Sequence, residues 1–441
     1  MLIDYLATTD ALSEVFSDRA VLQAMLDFEA ALASAEARLG IIPQPAADAI
    51  RAAAKAEQFD AEAIARDGRS QATASIPLVK ALTVLVTEKD PDSARFVHWG
   101  ATSQDVADTA IVLLLKRAEP ILTRDHERLE RTVRTLSDRH ASTVMLGRTL
   151  LQPAPPITFG LKAAGWAAAL AAGWRRVQQS FAESRVLQFG GASGTLAALG
   201  DRGLDVVQML AAELDLGTPP APWHTNRDRL SALVAACGIY TGTLGKIAGD
   251  IALLMQDEVG EAAEPGGGSS TLPHKRNPAG CAVAIAAAAR LPGLVAAFLT
   301  GMAQEHERGA GGWQAEWSTL AAAVQSTGAA LASLADAVGG LDVYPERMRQ
   351  NIERTNGTIF AERVIALAAP KAGKDAAHTL VAAALSRSRE SGQSFREALT
   401  SIPGARGLLS AEELNTIDLP EQYLGSAEVL RQRLLAWKPE R

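Results

Sequence analysis

The sequence predicts an all-α protein built on long helices, and three observations carry that expectation. Nearly every long segment repeats its apolar residues with helical period, and almost none alternates like a strand. From Gln104 onward the helical runs lengthen to 104–140, 157–186, 227–260, 278–303 and 313–339. At 1.5 Å per residue they reach about 40 to 55 Å, where a usual helix has about 11 residues. The runs are also rich in small residues, as in AGWAAALAAGW and AAAVQSTGAALASLADAVGG, which lets helices approach closely. Their apolar positions occupy more than one face, which predicts burial against further copies of the chain.

In chain order, residues 21–39 place Leu22, Met25, Leu26, Leu32 and Leu39 on one side, with Gly40 and Pro43 as stop signals. A charged stretch at 55–70 precedes a short helix over Ile76–Val86, and Asp90-Pro91 breaks the chain. Pro120 lies inside the first long run and should kink it or start a new helix after Glu119. After Gly339-Gly340 the composition turns polar, punctuated by Pro345, Pro370, Pro403 and Gly404. The division expected is an N-terminal helical domain at 1–103, a central bundle at 104–340 and a C-terminal helical domain at 341–441.

The 441 residues are 21% charged and 48% hydrophobic, a globular balance, and the net charge of -7 argues against nucleic acid as the main partner. No stretch resembles a membrane span, and the opening MLIDYLATTDALSE lacks the pattern of a secretion signal, so a cytoplasmic location is expected. Cys237 and Cys281 fall within helical patterns and read as reduced core thiols. No Cys/His set has metal-ligand spacing, so no metal is expected.

The most informative segment is Gly266 to Pro278, GGGSSTLPHKRNP, which combines a glycine run, two hydroxyls, two cations and a helix start. Asn277 suits an N-cap and Pro278 the first helical turn. The positive end of that helix, Lys275 and Arg276 would then surround Ser269 and Ser270, a pocket for anions. A plain glycine-rich connection between helices has the same composition.

Other polar connections carry candidates, each with a plainer reading beside it. In VHWGATSQDVADT (97–109), Thr102 and Ser103 either cap a helix or also bind a carboxylate. In GRTLLQPAPPITFG (147–160) three prolines should prevent regular structure, and Arg148, Thr149 and Gln152 either face a ligand or belong to a rigid connection. LQFGGASGTLAALG (187–200) gathers three glycines around Ser193, a weak signal. PWHTNRDRL (222–230) puts His224 and Arg227 at a helix start, and QEHERGAGGWQAEW (304–317) sets His306 and Arg308 where a helix is interrupted. Surface arginines outnumber binding ones, so Arg227 and Arg308 have a bland alternative. His126, His140 and His378 read as solvated helix-face residues.

GSSTLPHKRNP resembles the signature loop of the fumarase/aspartase superfamily, Gly-Ser-Ser-X-Met-Pro-X-Lys-X-Asn-Pro, with only Leu272 departing from it. FSDRAVLQAMLDFEAALASAEA, SIPLVKAL, HWGATSQDVADT, LQFGGASGTLAALG, PWHTNRDRL and QEHERGAGGWQAEW add to the likeness, in order, from residue 16 to about 435. Within the superfamily the likeness is to bacterial lactonising cycloisomerases. It implies an all-α homotetramer with a central twenty-helix bundle, sites shared by three subunits, a small tricarboxylate diene as substrate and no cofactor.

By that resemblance Ser269 is the acid/base, and Lys275 and Asn277 anchor a carboxylate beside it. Thr102, Ser103 and Gln104 are substrate-binding positions, with Arg148, Thr149, Gln152, His224, Arg227, Ser270, Arg276 and Arg308 as further contacts. Many superfamily lyases have Gly-Arg-Thr-His in the second segment, the His serving the leaving group. Here Leu150 stands in that place, and Pro153 excludes a nearby imidazole in the same segment. A carboxylate, with a reference pKa of about 4, departs without an acid, whereas an amine does not. This favours lactonisation over an adenylosuccinate lyase-like elimination that releases fumarate, and intact Ser269, Lys275 and Asn277 speak against a non-enzymatic scaffold.

Overall fold

The computed structural model describes residues 2–438. The elements before the long helices are α1 (Asp10–Val15), α2 (Asp18–Arg38), α3 (Gln44–Ala53), α4 (Ala61–Gln71) and α5 (Ser75–Lys89). The stretch at 55–70 therefore holds a helix of its own. Asp60 starts it by accepting the Glu62 and Ala63 N–H groups, a cap that satisfies two donors the helix cannot.

The long elements follow as α6 (Ser103–Arg139), the strands β1 (Val144–Thr149) and β2 (Gln152–Thr158), then α7 (Phe159–Ser184), α8 (Gly203–Leu214) and α9 (Asp228–Leu254). After β3 (Ala262–Ala263) come α10 (Ala279–Thr300), α11 (Gly312–Gly339) and β4 (Asp342–Val343). The C-terminal set is α12 (Pro345–Glu353), α13 (Ala361–Ala372), α14 (Lys374–Ser391), α15 (Phe395–Thr400), α16 (Ala405–Leu408), α17 (Ala411–Thr416) and α18 (Ala427–Ala436).

The all-α expectation is borne out, and the five long runs match α6, α7, α9, α10 and α11. Two details differ. Pro120 starts no new helix, because α6 continues from Ser103 to Arg139 around it. The proline-rich segment after Gly147 is regular: β1 and β2 form an antiparallel hairpin turned by Leu150 and Leu151. Prolines survive there because a two-stranded ribbon leaves one edge of each strand unpaired, and the register shifts opposite Leu146/Gly147 to absorb Pro155.

Packing divides the chain into two compact units, to which the five long helices each contribute a stretch. The first comprises Met1–Glu127, Gly173–Lys246 and Val283–Leu334; the second comprises Arg128–Ala172, Ile247–Ala282 and Ala335–Arg441. In the first unit Leu22, Met25, Leu26 and Leu32 are buried as their spacing predicts, packed with Leu78 and Leu82 of α5 and Leu210 of α8. His126 is not solvated. It is buried, its Nδ1 lies 2.8 Å from the Tyr240 hydroxyl, and its ring stacks on Trp174. The second unit holds a core of Val364, Leu380, Phe395, Leu399 and Ile417, and a smaller one in which Leu146 meets Ile352 and Phe360. Cys237 and Cys281 are buried free thiols.

Helices α9 and α10 are long and apolar enough, by length and composition alone, to pass for membrane spans. Most of α9 is buried, whereas α10 leaves Ile285 and Leu299 exposed in the single chain and carries Arg290 midway.

Glu36 of α2 is fully buried with no partner for either carboxyl oxygen. Burial first, and the nearby Glu29 second, raise its pKa from the ordinary 4.5 to about 9, so it is neutral at pH 7. The folded chain therefore binds a proton that the unfolded chain releases above pH 4.5. This contribution to stability is complete below 4.5 and is lost as pH rises through about 9. Replacing Glu36 with Gln should flatten the pH dependence of the unfolding free energy measured in urea, by about 4 kcal/mol between pH 5 and pH 8. Equal slopes in parent and variant would show that Glu36 ionises normally.

Candidate active site

In the first unit the N-terminus of α6 and the interrupted segment before α11 meet. Arg308 donates from Nη1 to the Thr102 hydroxyl (2.7 Å), from Nη2 to the Ser103 hydroxyl (3.1 Å) and from Nε to Gln104 Oε1 (3.4 Å). Thr102, Ser103 and Arg308 are half-buried, so a cation and two hydroxyls line one surface suited to a carboxylate.

Behind them lies a buried polar network that the sequence only hinted at. Asp105 accepts the Thr102, Gly190 and Gly191 N–H groups, and its Oδ1 lies 2.7 Å from His224 Nε2. Gly190 has to be glycine, since a Cβ there would sit 2.7 Å from Pro222 and 2.9 Å from His224. Asp108 accepts from Gln104, Gln188 and the Trp313 indole. His98, in left-handed backbone, holds its Nδ1 2.6 Å from Glu29. Burial works against the His98 charge, but Glu29 outweighs it and raises the pKa.

Arg227 belongs to this interior, and the substrate contact expected of it is replaced by an internal one. It is 1% exposed, and its guanidinium binds Asp108 (2.7 and 3.0 Å) and Glu316 (2.6 to 3.1 Å) while stacking on Trp223. The two carboxylates take four of its five N–H donors and the His224 carbonyl, 3.5 Å from Nη1, takes the fifth, so no donor remains for a ligand. Burial opposes its charge, yet Asp108 and Glu316 hold its pKa above the ordinary arginine value. His224 and Gln104 are likewise enclosed, Gln104 donating to Asp108 and to the His224 carbonyl. The missed signal was the pair Asp105 and Asp108, three residues apart beside the apolar Val106, Ala107 and Ala110.

In the second unit the hairpin presents Leu150 at its tip, 97% exposed, with Leu151 beside it. Thr149 and Gln152 are exposed, and Arg148 is clasped by Glu261 through two bonds of 2.6 and 2.9 Å. That pairing fixes Arg148 in the wall of an open groove of about 510 Å³ that also includes Gln152, Asn351 and Arg354. Within residues 144–158 the only ionisable side chain is Arg148.

The signature loop in the same unit has a pinched neck and an exposed head. Asn277 donates its N–H to the Gly267 carbonyl (2.7 Å) and its Nδ2 to the Gly268 carbonyl (3.3 Å), while Gly268 pairs with Arg276. Gly267 has φ +68°, and a Cβ there would fall 1.9 Å from the Asn277 carbonyl oxygen, so only glycine closes the neck. In the head, Ser269 Oγ accepts the Leu272 N–H (3.1 Å) and the Thr271 N–H (3.3 Å). Two such donors favour negative charge on that oxygen. Ser270 and Lys275 are exposed, and Arg276 pairs with Asp342 at 3.2 Å.

The expected N-cap is corrected here. Asn277 turns back into the neck, and the first N–H groups of α10, at Gly280 and Cys281, are taken by the buried carboxylate of Glu264 at 2.7 and 3.1 Å. The positive end of the helix is therefore already compensated by Glu264, and the donors that reach the Ser269 oxygen are the head's own N–H groups.

This fold and this loop are those of a lyase of the fumarase/aspartase type. A family model described as lyase matches residues 4–293, one described as adenylosuccinate lyase C-terminus matches residues 357–434, and the chain belongs to that lyase family. The 3-carboxy-cis,cis-muconate cycloisomerase of Bradyrhizobium diazoefficiens is 46% identical, over 96% of this chain and 95% of its own length. That of Pseudomonas aeruginosa is 46% identical over 96% and 93%. The crystal structure of 3-carboxy-cis,cis-muconate lactonizing enzyme from Pseudomonas putida matches with a TM-score of 0.94, at 44% identity over 99% of this chain and 98% of that one.

Proposed function

We propose that the chain catalyses lactonisation of 3-carboxy-cis,cis-muconate to 4-carboxymuconolactone, a step of protocatechuate breakdown, in the cytoplasm and without a cofactor. One substrate carboxylate adds through oxygen to the double bond at the carboxyl-bearing carbon. The electron pair moves to the neighbouring carbon and is delocalised into the carboxylate attached there. Ser269 then donates its proton to that carbon. In reverse, the Ser269 alkoxide removes the proton and the lactone carboxylate departs.

The observation that carries this reading is the Ser269 hydroxyl, held by two backbone N–H groups in the loop that also bears Lys275. Lys275 and Asn277 are assigned to the carboxylate that becomes doubly charged. Thr102, Ser103 and Arg308 are assigned to another carboxylate, with Ser270, Arg148, Thr149, Gln152 and Arg276 as further substrate contacts. Gln104, His224 and Arg227 act from behind as supports. A homotetramer is proposed as well, with the exposed apolar face of α10 as part of the surface between subunits.

The adenylosuccinate lyase-like alternative draws on the match at 357–434. It lacks a leaving-group acid, because the hairpin tip is Leu150-Leu151. An ultraviolet assay separates the two. Loss of diene absorbance with 3-carboxymuconate and no fumarate from adenylosuccinate supports lactonisation, and the opposite result reverses the assignment. Leu150→His should change the cyclisation rate by less than about threefold, since a weakly basic carboxylate gains little from an acid. A large acceleration would show that a missing acid had been limiting.

A further inference from the structure

Glu264 stands where the signature loop leaves β3, and two backbone donors converge on its buried side chain. Its Oε1 accepts the Gly280 N–H at 2.7 Å and its Oε2 accepts the Cys281 N–H at 3.1 Å. Burial first, then the Glu264 carboxylate, raise the Cys281 pKa, so the thiol stays protonated. The residues on either side of Glu264 are fixed too. Ala263 pairs with Asp342, and Pro265 packs so tightly against Gly340 that a Cβ there would lie 2.6 Å from the proline ring. Because Glu264 precedes the loop and Gly280 and Cys281 follow it, the carboxylate ties the two ends of a 14-residue excursion, 265–278, together. The neck bonds from Asn277 to Gly267 and Gly268 lie between this tie and Ser269.

We propose that Glu264 is a positioning residue for Ser269: it clamps the neck of the signature loop to the start of α10, and by occupying the helix N-terminus it keeps that positive end from acting on the loop hydroxyl. The proposal rests on the acid–base role assigned above to Ser269. A carboxylate suits the place because both its oxygens accept. A carboxamide would turn an N–H₂ group toward one of the two backbone donors and break one side of the clamp.

Two variants test the idea in the full-length protein. Glu264→Gln should lower kcat for cyclisation about 10- to 100-fold, with KM within about threefold, because a small misplacement of a reacting group carries that cost. It should also move the alkaline limb of the forward kcat profile to lower pH. Loss of a nearby negative charge makes Ser269 more acidic, and the forward reaction needs it protonated. Glu264→Asp keeps the charge and shortens the reach, so kcat should fall while the limb stays in place.

A Glu264→Gln protein with parental kcat, or one slowed with its pH profile unmoved, overturns the proposal. If Glu264→Gln fails to assemble, an undiminished kcat in Glu264→Asp overturns it alone. The parent is assayed first. A parent inactive on the diene removes the functional reading and this inference together, whereas an active parent with unaffected variants removes only the inference.

Discussion

Ser269→Ala is expected to reduce turnover of 3-carboxymuconate about a thousandfold or more while leaving assembly and thermal midpoint near those of the parent. The hydroxyl is the group assigned to deliver the proton, and general acid–base catalysis is worth about 10²- to 10⁴-fold. The same change is mild for the fold. Ser269 sits in a half-exposed loop position, and its Oγ accepts only two long bonds, from Thr271 and Leu272. Removing it should cost less than about 1 kcal/mol. Stopped-flow absorbance gives the rate and light scattering the assembly. Near-parental turnover would move proton transfer to another group, with Ser270 the first to test.

The second large effect is on stability. Arg227→Met should destabilise the protein by about 3–5 kcal/mol, because Asp108 and Glu316 would be left buried without their cation. Burial already pushes the Glu316 pKa up, and Arg227 with Gln304 opposes that rise. Adding Asp108→Asn and Glu316→Gln should recover part of the loss, since the orphaned charges are then gone. Denaturant midpoints measure both steps. A variant with parental stability and a raised KM would instead place Arg227 on the substrate.

These two residues show where sequence reasoning reached and where it stopped. The Ser269 loop was legible because its glycines, hydroxyls and cations are consecutive, so local chemistry and the superfamily pattern coincide. Arg227 was also visible, as an arginine at a helix start, but nothing local distinguishes a guanidinium facing a ligand from one facing Asp108, 119 residues away in sequence, and Glu316, 89 away. Glu264 escaped notice for the same reason. An acid among EVGEAAEP carries no sign that it will cap a helix starting fifteen residues later. The hairpin at 144–158 was hidden by its prolines, which look incompatible with strands until the ribbon is known to have only two.

By itself the sequence determined the helical class, the positions of the five long helices, the lyase family and the loop that carries Ser269. Those properties depend on periodicity and on neighbouring residues, which a linear pattern records directly. The tertiary structure alone decided which charges face a ligand and which neutralise one another inside. Burial and partner choice arise between distant segments, and the energy of a charge depends more on what packs against it than on what precedes it in the chain.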